Sequence, residues 1–175
     1  MIKNLSNILN KESIFFSLIL ILALSRLIPH PPNFTPIIAM AIISNYFFKN
    51  IYSSILALSL SMFLSDIFIG FYTNMIFVYF SLFLINIIFF KINEKYKINY
   101  KNIFLYGLAG SILFYLISNF GVWLLGDLYT KNFEGLISCY ILAIPFLKNT
   151  LLSTIFFSYI SLIAGNSINR FLLKT

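Results

Sequence analysis

The sequence predicts an all-α integral membrane protein, a single transmembrane domain over residues 1–175 with about six membrane-spanning helices. Three observations carry that prediction. The chain is 60% hydrophobic and only 10% charged, whereas a soluble domain carries roughly 25% charged residues to cover its surface. Its apolar residues, chiefly Ile, Leu and 21 Phe, fall in long blocks with neither strand alternation nor an amphipathic stripe. Block lengths approach the roughly 20 helical residues that cross a hydrocarbon core about 30 Å thick.

Charged, Pro-rich and Asn-rich interruptions place the elements in order. The first span reads as Ile14–Leu27, preceded by Lys3 and Lys11. Without a small-x-small cleavage site after it, this segment reads as an uncleaved span and not as a signal peptide. The second block, Pro36–Phe48, is short for a full crossing, so tilt, local thinning of the bilayer or extension into its turn are all open. Three longer blocks follow at Ile51–Ile69, Met75–Phe90 and Ile103–Leu125, and the last span is Leu151–Ile168. Between these, Phe133–Phe146 is apolar but contains Glu134, Gly135 and Pro145, which makes it a short interfacial or re-entrant helix before the last span.

Charge then sets orientation. A cytoplasmic amino terminus puts nine basic residues inside (Lys3, Lys11, Lys49, Lys91, Lys95, Lys97, Lys101, Arg170, Lys174) and three outside (Arg26, Lys131, Lys148). Basic residues near span ends are retained in the cytoplasm, so both termini are expected inside, in the cytoplasmic (inner) membrane. The net charge of +7 is thereby a topology signal that flanks apolar blocks, and no nucleic-acid partner is expected.

This topology sorts the chemistry. The inner segments are plain Lys and Asn loops, whereas the outer ones hold Ser25–Pro36, Ser65–Asn74 and Asn119–Tyr129. Arg26 and Asp66, at the outer ends of the first and third spans, are costly in a bilayer unless paired or snorkelling, so an ion pair and a ligand site are both open readings. In Pro29–Pro36, which holds His30 and Asn33, four prolines forbid helix and make a stiff loop, either a lid or a rigid turn. Asn119, Trp123, Asp127 and Tyr129, with Tyr72, Tyr79 and Tyr140, suit a pocket that stacks a flat ligand and bonds its edge, or an interfacial aromatic belt.

Ser53, Ala57, Ser61 and Ser65 repeat at helical spacing, as do Gly107 and Ser111. Such small residues allow close helix approach, either within the bundle or against a partner subunit. Cys139 is the only cysteine and His30 the only histidine, so no disulfide and no metal site is expected. Phosphate loops, His-Glu-x-x-His and Gly-x-Ser-x-Gly motifs are missing, as is a carboxylate pair within one span, so neither a cofactor nor an enzymatic activity is expected.

The pattern resembles the substrate-binding S component of energy-coupling factor transporters. Arg26-Leu-Ile-Pro-His-Pro-Pro-Asn-Phe-Thr-Pro36, Ser65-Asp66 with Gly70, Asn119-Phe-Gly-Val-Trp123 and Gly135-Leu-Ile-Ser-Cys-Tyr140 with Ile144-Pro-Phe146 more closely resemble an uncharacterised bacterial membrane family related to those proteins. The resemblance implies a small bundle with both ends cytoplasmic and a ligand held near the outer face under the first outer loop. It also implies separate partners, a membrane coupling subunit and cytoplasmic ATPases. One departure concerns the small-residue face by which many S components dock in their first span: here Ala23 is followed four residues on by Leu27, which makes the small face of the third span a candidate substitute.

The expected function is a membrane-embedded subunit for uptake of a small vitamin-like solute. Asp66 would accept hydrogen bonds or meet a cation, Asn119 would bond a heteroatom and Trp123 would stack. Arg26 and His30 would anchor the lid, with Asn33, Tyr72, Tyr129 and Tyr140 completing the site. Two other classes are open: a membrane enzyme or assembly factor using Asp66, Asp127, Glu134 and His30, and a structural accessory subunit whose outer residues only pack.

Overall fold

The computed structural model describes residues 2–48 and 50–172, with side chains between residues 12 and 167 except those of 15, 45, 46 and 49. Lys49 and Lys174 of the charge count lie outside the described residues, as do the side chains of Lys3, Lys11 and Arg170. The described residues form seven α-helices and no strand: α1 (Ile2–Leu24), α2 (Ile37–Phe47), α3 (Ile51–Ile69), α4 (Met75–Lys95), α5 (Ile103–Leu125), α6 (Phe133–Leu142) and α7 (Ile144–Leu172). A single 3₁₀ turn, Ser25–Leu27, follows α1. Among the described residues, α3, α4, α5 and Ile144–Ser167 of α7 are long and apolar enough to cross a membrane.

In α3 and α7 small and hydroxylated residues turn inward and most large apolar ones outward. The inner face of α3 is Ser54, Ala57, Ser61, Ser65 and Asp66 with Leu58 and Met62, while Tyr52, Leu56, Leu60, Phe63 and Ile67 face outward. In α7, Thr150, Ser153, Thr154, Ser158 and Ser161 are buried, and Leu152, Phe156, Ile160 and Ile163 are exposed. A water-soluble bundle has the reverse arrangement. This polarity suits lipid as the solvent, because small and hydroxylated residues then do the helix–helix packing and leave the apolar side chains to the acyl chains. Several hydroxyls bond back into their own helix, such as Ser61 to Ala57 O at 2.7 Å and Ser65 to Met62 O at 2.9 Å.

The small face of α3 is thus consumed within the bundle, against α1, α2 and α4. Of the two readings open for this face, packing within the bundle is the one that its burial fits, since Ala57 and Ser65 have no exposed area.

α2 is the centre of the structure and packs against α1, α3, α4, α5 and α7. Every described residue from Ile37 to Ser44 is buried, which explains why this helix is apolar on every side from Ile37 to Ile43 and still only 11 residues long. Its side chains meet protein in every direction, so lipid thickness does not fix its length. Gly110 of α5 marks how deep it starts: a Cβ there would lie 3.2 Å from Ile38 and 3.0 Å from Ile42. Gly110 is 15 residues from the end of α5 at Leu125, about 22 Å along the helix axis at 1.5 Å per residue. The proline loop before α2 therefore descends into the bundle.

Towards its other end, α2 is tied by a buried polar knot. Asn86 Nδ2 donates to Ala41 O (3.1 Å), Ser44 Oγ (2.7 Å) and Ser54 Oγ (2.9 Å), joining α2, α3 and α4.

The apolar Phe133–Phe146 stretch divides at Ala143. Asn132 caps α6 by accepting from Gly135 N at 2.8 Å, and α7 starts immediately after the break with Pro145 in its first turn, where a missing N–H costs nothing. The last helix consequently begins at Ile144, seven residues before the expected Leu151. α6 lies against α5, where the Tyr140 hydroxyl donates to Leu116 O at 2.7 Å and the Tyr115 hydroxyl donates to Tyr140 O.

Candidate functional site

The helix ends at Arg26, Ile69, Asn74 and Leu125 gather on one end of the bundle, where α2 is too short to reach. The space above α2 is a cavity of about 570 Å³, within the range that small-molecule sites occupy. Its floor is Ile37 and Ile38, and its walls are Val78 of α4, Phe114, Ser118, Asn119 and Val122 of α5, Cys139 and Leu142 of α6, and Phe146 and Thr150 of α7. Loops complete the rim with His30, Asn33 and Thr35, with Tyr72 and Asn74, and with Leu128 and Tyr129. The lining is mainly apolar with a few convergent polar groups.

Arg26 stands on the 3₁₀ turn at the end of α1 and points across to α3. Its Nη2 is 3.0 Å from Asp66 Oδ1, and its Nη1 donates to Ser65 Oγ and approaches Met62 Sδ at 3.5 Å. Asp66 Oδ2 accepts from the Tyr79 hydroxyl at 2.8 Å. The two side chains are 7% and 0% exposed, so this is a buried pair whose desolvation is offset only by close mutual contact and added hydrogen bonds. Tyr72, in the loop between α3 and α4, faces the same pair. Burial pushes its phenol above the ordinary value, the Asp66 carboxylate adds to that, and Arg26 partly offsets it.

The proline loop is anchored by side chains of other elements. Asn149 of α7 donates to Pro32 O at 2.9 Å, and the Phe34 ring lies 5.9 Å from that of Phe157 and 6.3 Å from that of Phe156. Within the loop, Phe34 N donates to Pro31 O at 2.9 Å, and Asn33 takes a positive φ of 60°, a conformation that asparagine tolerates better than most residues.

Of the nine residues singled out from the sequence, Arg26, His30, Asn33, Tyr72, Asn119 and Tyr129 line the cavity. Asp66 does not; it lies behind Arg26 and is occupied by Arg26 and Tyr79. Trp123 and Tyr140 also stand off the cavity wall. The indole N–H of Trp123 donates to Thr130 O at 2.9 Å, its ring packs 5.6 Å from that of Phe120, and Lys131 Nζ lies 6.0 Å from its ring centre. Tyr140 is spent on pinning α6 to α5. The stacking role expected of Trp123 thus has no geometric basis here, because its polar tip and one face are already engaged.

Asn74 was not anticipated from the sequence. Its Nδ2 donates to Ser118 O at 2.9 Å, while its Oδ1 is buried in the cavity wall without a donor. Asn119 similarly donates to Tyr115 O at 2.8 Å, which leaves its amide oxygen as an acceptor. Asn74 immediately precedes α4, a placement that carries no distinct sequence signal beside ordinary capping, whereas Asn119 lies inside the last two turns of α5. Among the described residues no group of three or more His, Cys, Asp or Glu side chains is arranged to hold a metal ion.

The chain belongs to a family of unknown function, DUF6580, whose family model matches residues 6–170. No curated protein and no solved structure matches it.

Proposed function

We propose that this member of a family of unknown function is a membrane-embedded binding subunit for uptake of a compact, vitamin-like solute, held in the cavity above α2. The observation that carries the reading is the cavity itself: about 570 Å³, apolar-walled, and lined by Arg26, Asn74, Asn119 and Tyr129 from four separate parts of the chain. A site of that size and lining suits a drug-sized heterocycle better than a lipid or a peptide.

In this reading the chain crosses the membrane six times, through α1, α2, α3, α4, α5 and α7, with both termini cytoplasmic and the cavity outward. The nine-to-three division of basic residues supports the orientation. α2 spans only about 16 Å by itself, and the proline loop supplies the rest of that crossing. Non-helical backbone is acceptable at such depth where it lines a cavity or is covered by protein. Energy comes from separate subunits, a membrane coupling protein and cytoplasmic ATPases, an assignment that rests on the resemblance to transporter S components and is a fold-level analogy.

The test is thermal unfolding of the detergent-purified chain across vitamins and their precursors, since a solute that binds only the folded state raises the melting temperature by mass action. The expected result is a compound whose shift disappears in Asn119→Leu, which fills the wall and removes the free acceptor. If nothing in the collection moves the transition, the binding reading is wrong.

A further inference from the structure

The charges around the cavity are already balanced within the chain. Among the described residues no Asp, Glu or Lys lines it. Its one guanidinium, Arg26, is 7% exposed and is held by Asp66 Oδ1 at 3.0 Å, by Ser65 Oγ and by Tyr72, so the buried pair is neutral as a unit. His30 stands exposed on the rim, with Nδ1 2.9 Å from Pro31 O. The amino end of α2 at the floor brings only the partial charge of a helix dipole, roughly half an elementary charge. An ion entering from water therefore gives up its hydration to a mainly apolar wall that holds no free counter-charge, which is costly for a carboxylate and an ammonium group alike.

Hydrogen-bonding capacity, by contrast, is left over on α5. Ser118 is 8% exposed and lines the cavity, yet its hydroxyl makes no hydrogen bond among the described residues. Buried polar side chains are nearly always bonded, so a hydroxyl left open in a cavity wall calls for a partner from outside the chain. Its neighbour Asn119 donates Nδ2 to Tyr115 O at 2.8 Å and keeps its amide oxygen as an acceptor. Thr150, on the adjacent α7, spends its hydroxyl hydrogen on Phe146 O at 2.8 Å. The wall thus offers an open hydroxyl and open acceptor oxygens without a formal charge to spare.

We propose that the solute is uncharged when bound and presents an amide-like edge, its N–H donating to Asn119 Oδ1 and its carbonyl accepting from the Ser118 hydroxyl. The proposal rests on the binding-subunit reading and narrows its substrate class to neutral heterocycles that carry a lactam, carboxamide or urea group. Acids and amines of the same shape are disfavoured, because they alone lose the hydration of an ion without meeting a counter-ion.

The experiment follows thermal unfolding of the full chain in detergent with matched probes: nicotinamide beside nicotinate and 3-(aminomethyl)pyridine, biotinamide beside biotin, and riboflavin beside its 5′-phosphate. At least one uncharged member is expected to stabilise the protein at a concentration about tenfold or more below that needed for its charged counterpart. The second arm is Ser118→Ala, which deletes no bond within the fold and is expected to melt like the parent chain. It should raise the concentration of the uncharged probe needed for the same shift about threefold or more. A neutral hit from the vitamin collection that weakens in Ser118→Ala supports the proposal equally. A charged probe that stabilises as well as its uncharged counterpart, vitamin hits that are all charged, or an undiminished response in Ser118→Ala would each overturn the proposal while the binding reading stands. A chain that responds to no probe and no vitamin overturns both. Should Ser118→Ala fail to fold, the comparison of charged with uncharged compounds on the unaltered chain still decides.

Discussion

Arg26 Nη2 and Asp66 Oδ1 lie 3.0 Å apart across the junction of α1 and α3, with no exposed area on the aspartate side chain. The relationship makes Asp66 a structural partner of Arg26 before it is anything else. Removing either side chain leaves an uncompensated charge inside the bundle, at a cost of about 3–5 kcal/mol. Arg26→Ala and Asp66→Ala are each expected to lower stability on that scale. The double variant should lose much less than their sum, measured as a double-mutant cycle on unfolding in detergent. Additive losses would dismiss the pair as a stabilising unit.

Gly121 faces the loop between α3 and α4 at very close range. A Cβ there would fall 2.1 Å from Asn74 Oδ1 and 2.4 Å from the Phe77 ring, so Gly121→Ala must push Asn74 out of the cavity wall. The expected outcome is loss of solute response together with about 1–3 kcal/mol of destabilisation from overpacking. Gly107→Ala is the companion control, since its new methyl would meet Ile155 at an ordinary 3.4 Å and should leave both properties near wild type.

The Asn86 knot holds the lower half of α2 in register with α3 and α4. Asn86→Leu keeps the volume and abandons donors to Ala41 O, Ser44 and Ser54, with an expected loss of about 1–2 kcal/mol as for interhelical polar contacts in membranes. Unfolding measurements that find the variant as stable as wild type would show that the knot specifies packing without stabilising it.

Tyr72 supplies a pH signature. Its folded phenol holds the proton more tightly than the ordinary value of 10.0, because burial and then Asp66 disfavour the phenolate more than Arg26 favours it. Above pH 10.0 the unfolded chain therefore releases this proton first and is drawn down in free energy, so the stabilising contribution is whole below that pH and is lost as pH rises beyond it. Tyr72→Phe should flatten the alkaline loss relative to wild type in paired unfolding curves, and identical slopes would remove Tyr72 as its source.

Much of the helix arrangement can be read from the residues. The bounds of α3 and α5 coincide with the apolar runs Ile51–Ile69 and Ile103–Leu125, because Asn50, Gly70, Asn102 and Gly126 stop each run at its lipid length. The central position of α2 is not legible, since an all-apolar block says that water is excluded and not whether lipid or protein does the excluding. α4 runs five residues past the expected Phe90 to Lys95; its charged last turn is good helix former but reads as loop when apolarity is the criterion.

In the cavity, Arg26, Tyr72 and Asn119 could be gathered from one end of the bundle by topology alone. What topology cannot resolve is depth: Asn119 and Trp123 are four residues apart on nearly the same face of α5, yet Asn119 is on the cavity wall while Trp123, one turn nearer the helix end, is held by the α5–α6 loop. Asn86 did carry a signal, as a lone amide in the middle of an apolar span.

The brevity of α2 bears on how the molecule is made. Eleven residues, Ser44 and Asn45 among them, are well short of the roughly 20 apolar ones that settle in a bilayer unaided, and besides α1 and α3 the helix takes its neighbours from α4, α5 and α7, which are synthesised after it. Residues 28–47 must therefore wait, shielded by the insertion machinery or by α1 and α3, until the carboxy-terminal half arrives. A chain stopped before α7 leaves that segment without its sheath, which makes truncated nascent products natural substrates for membrane quality control.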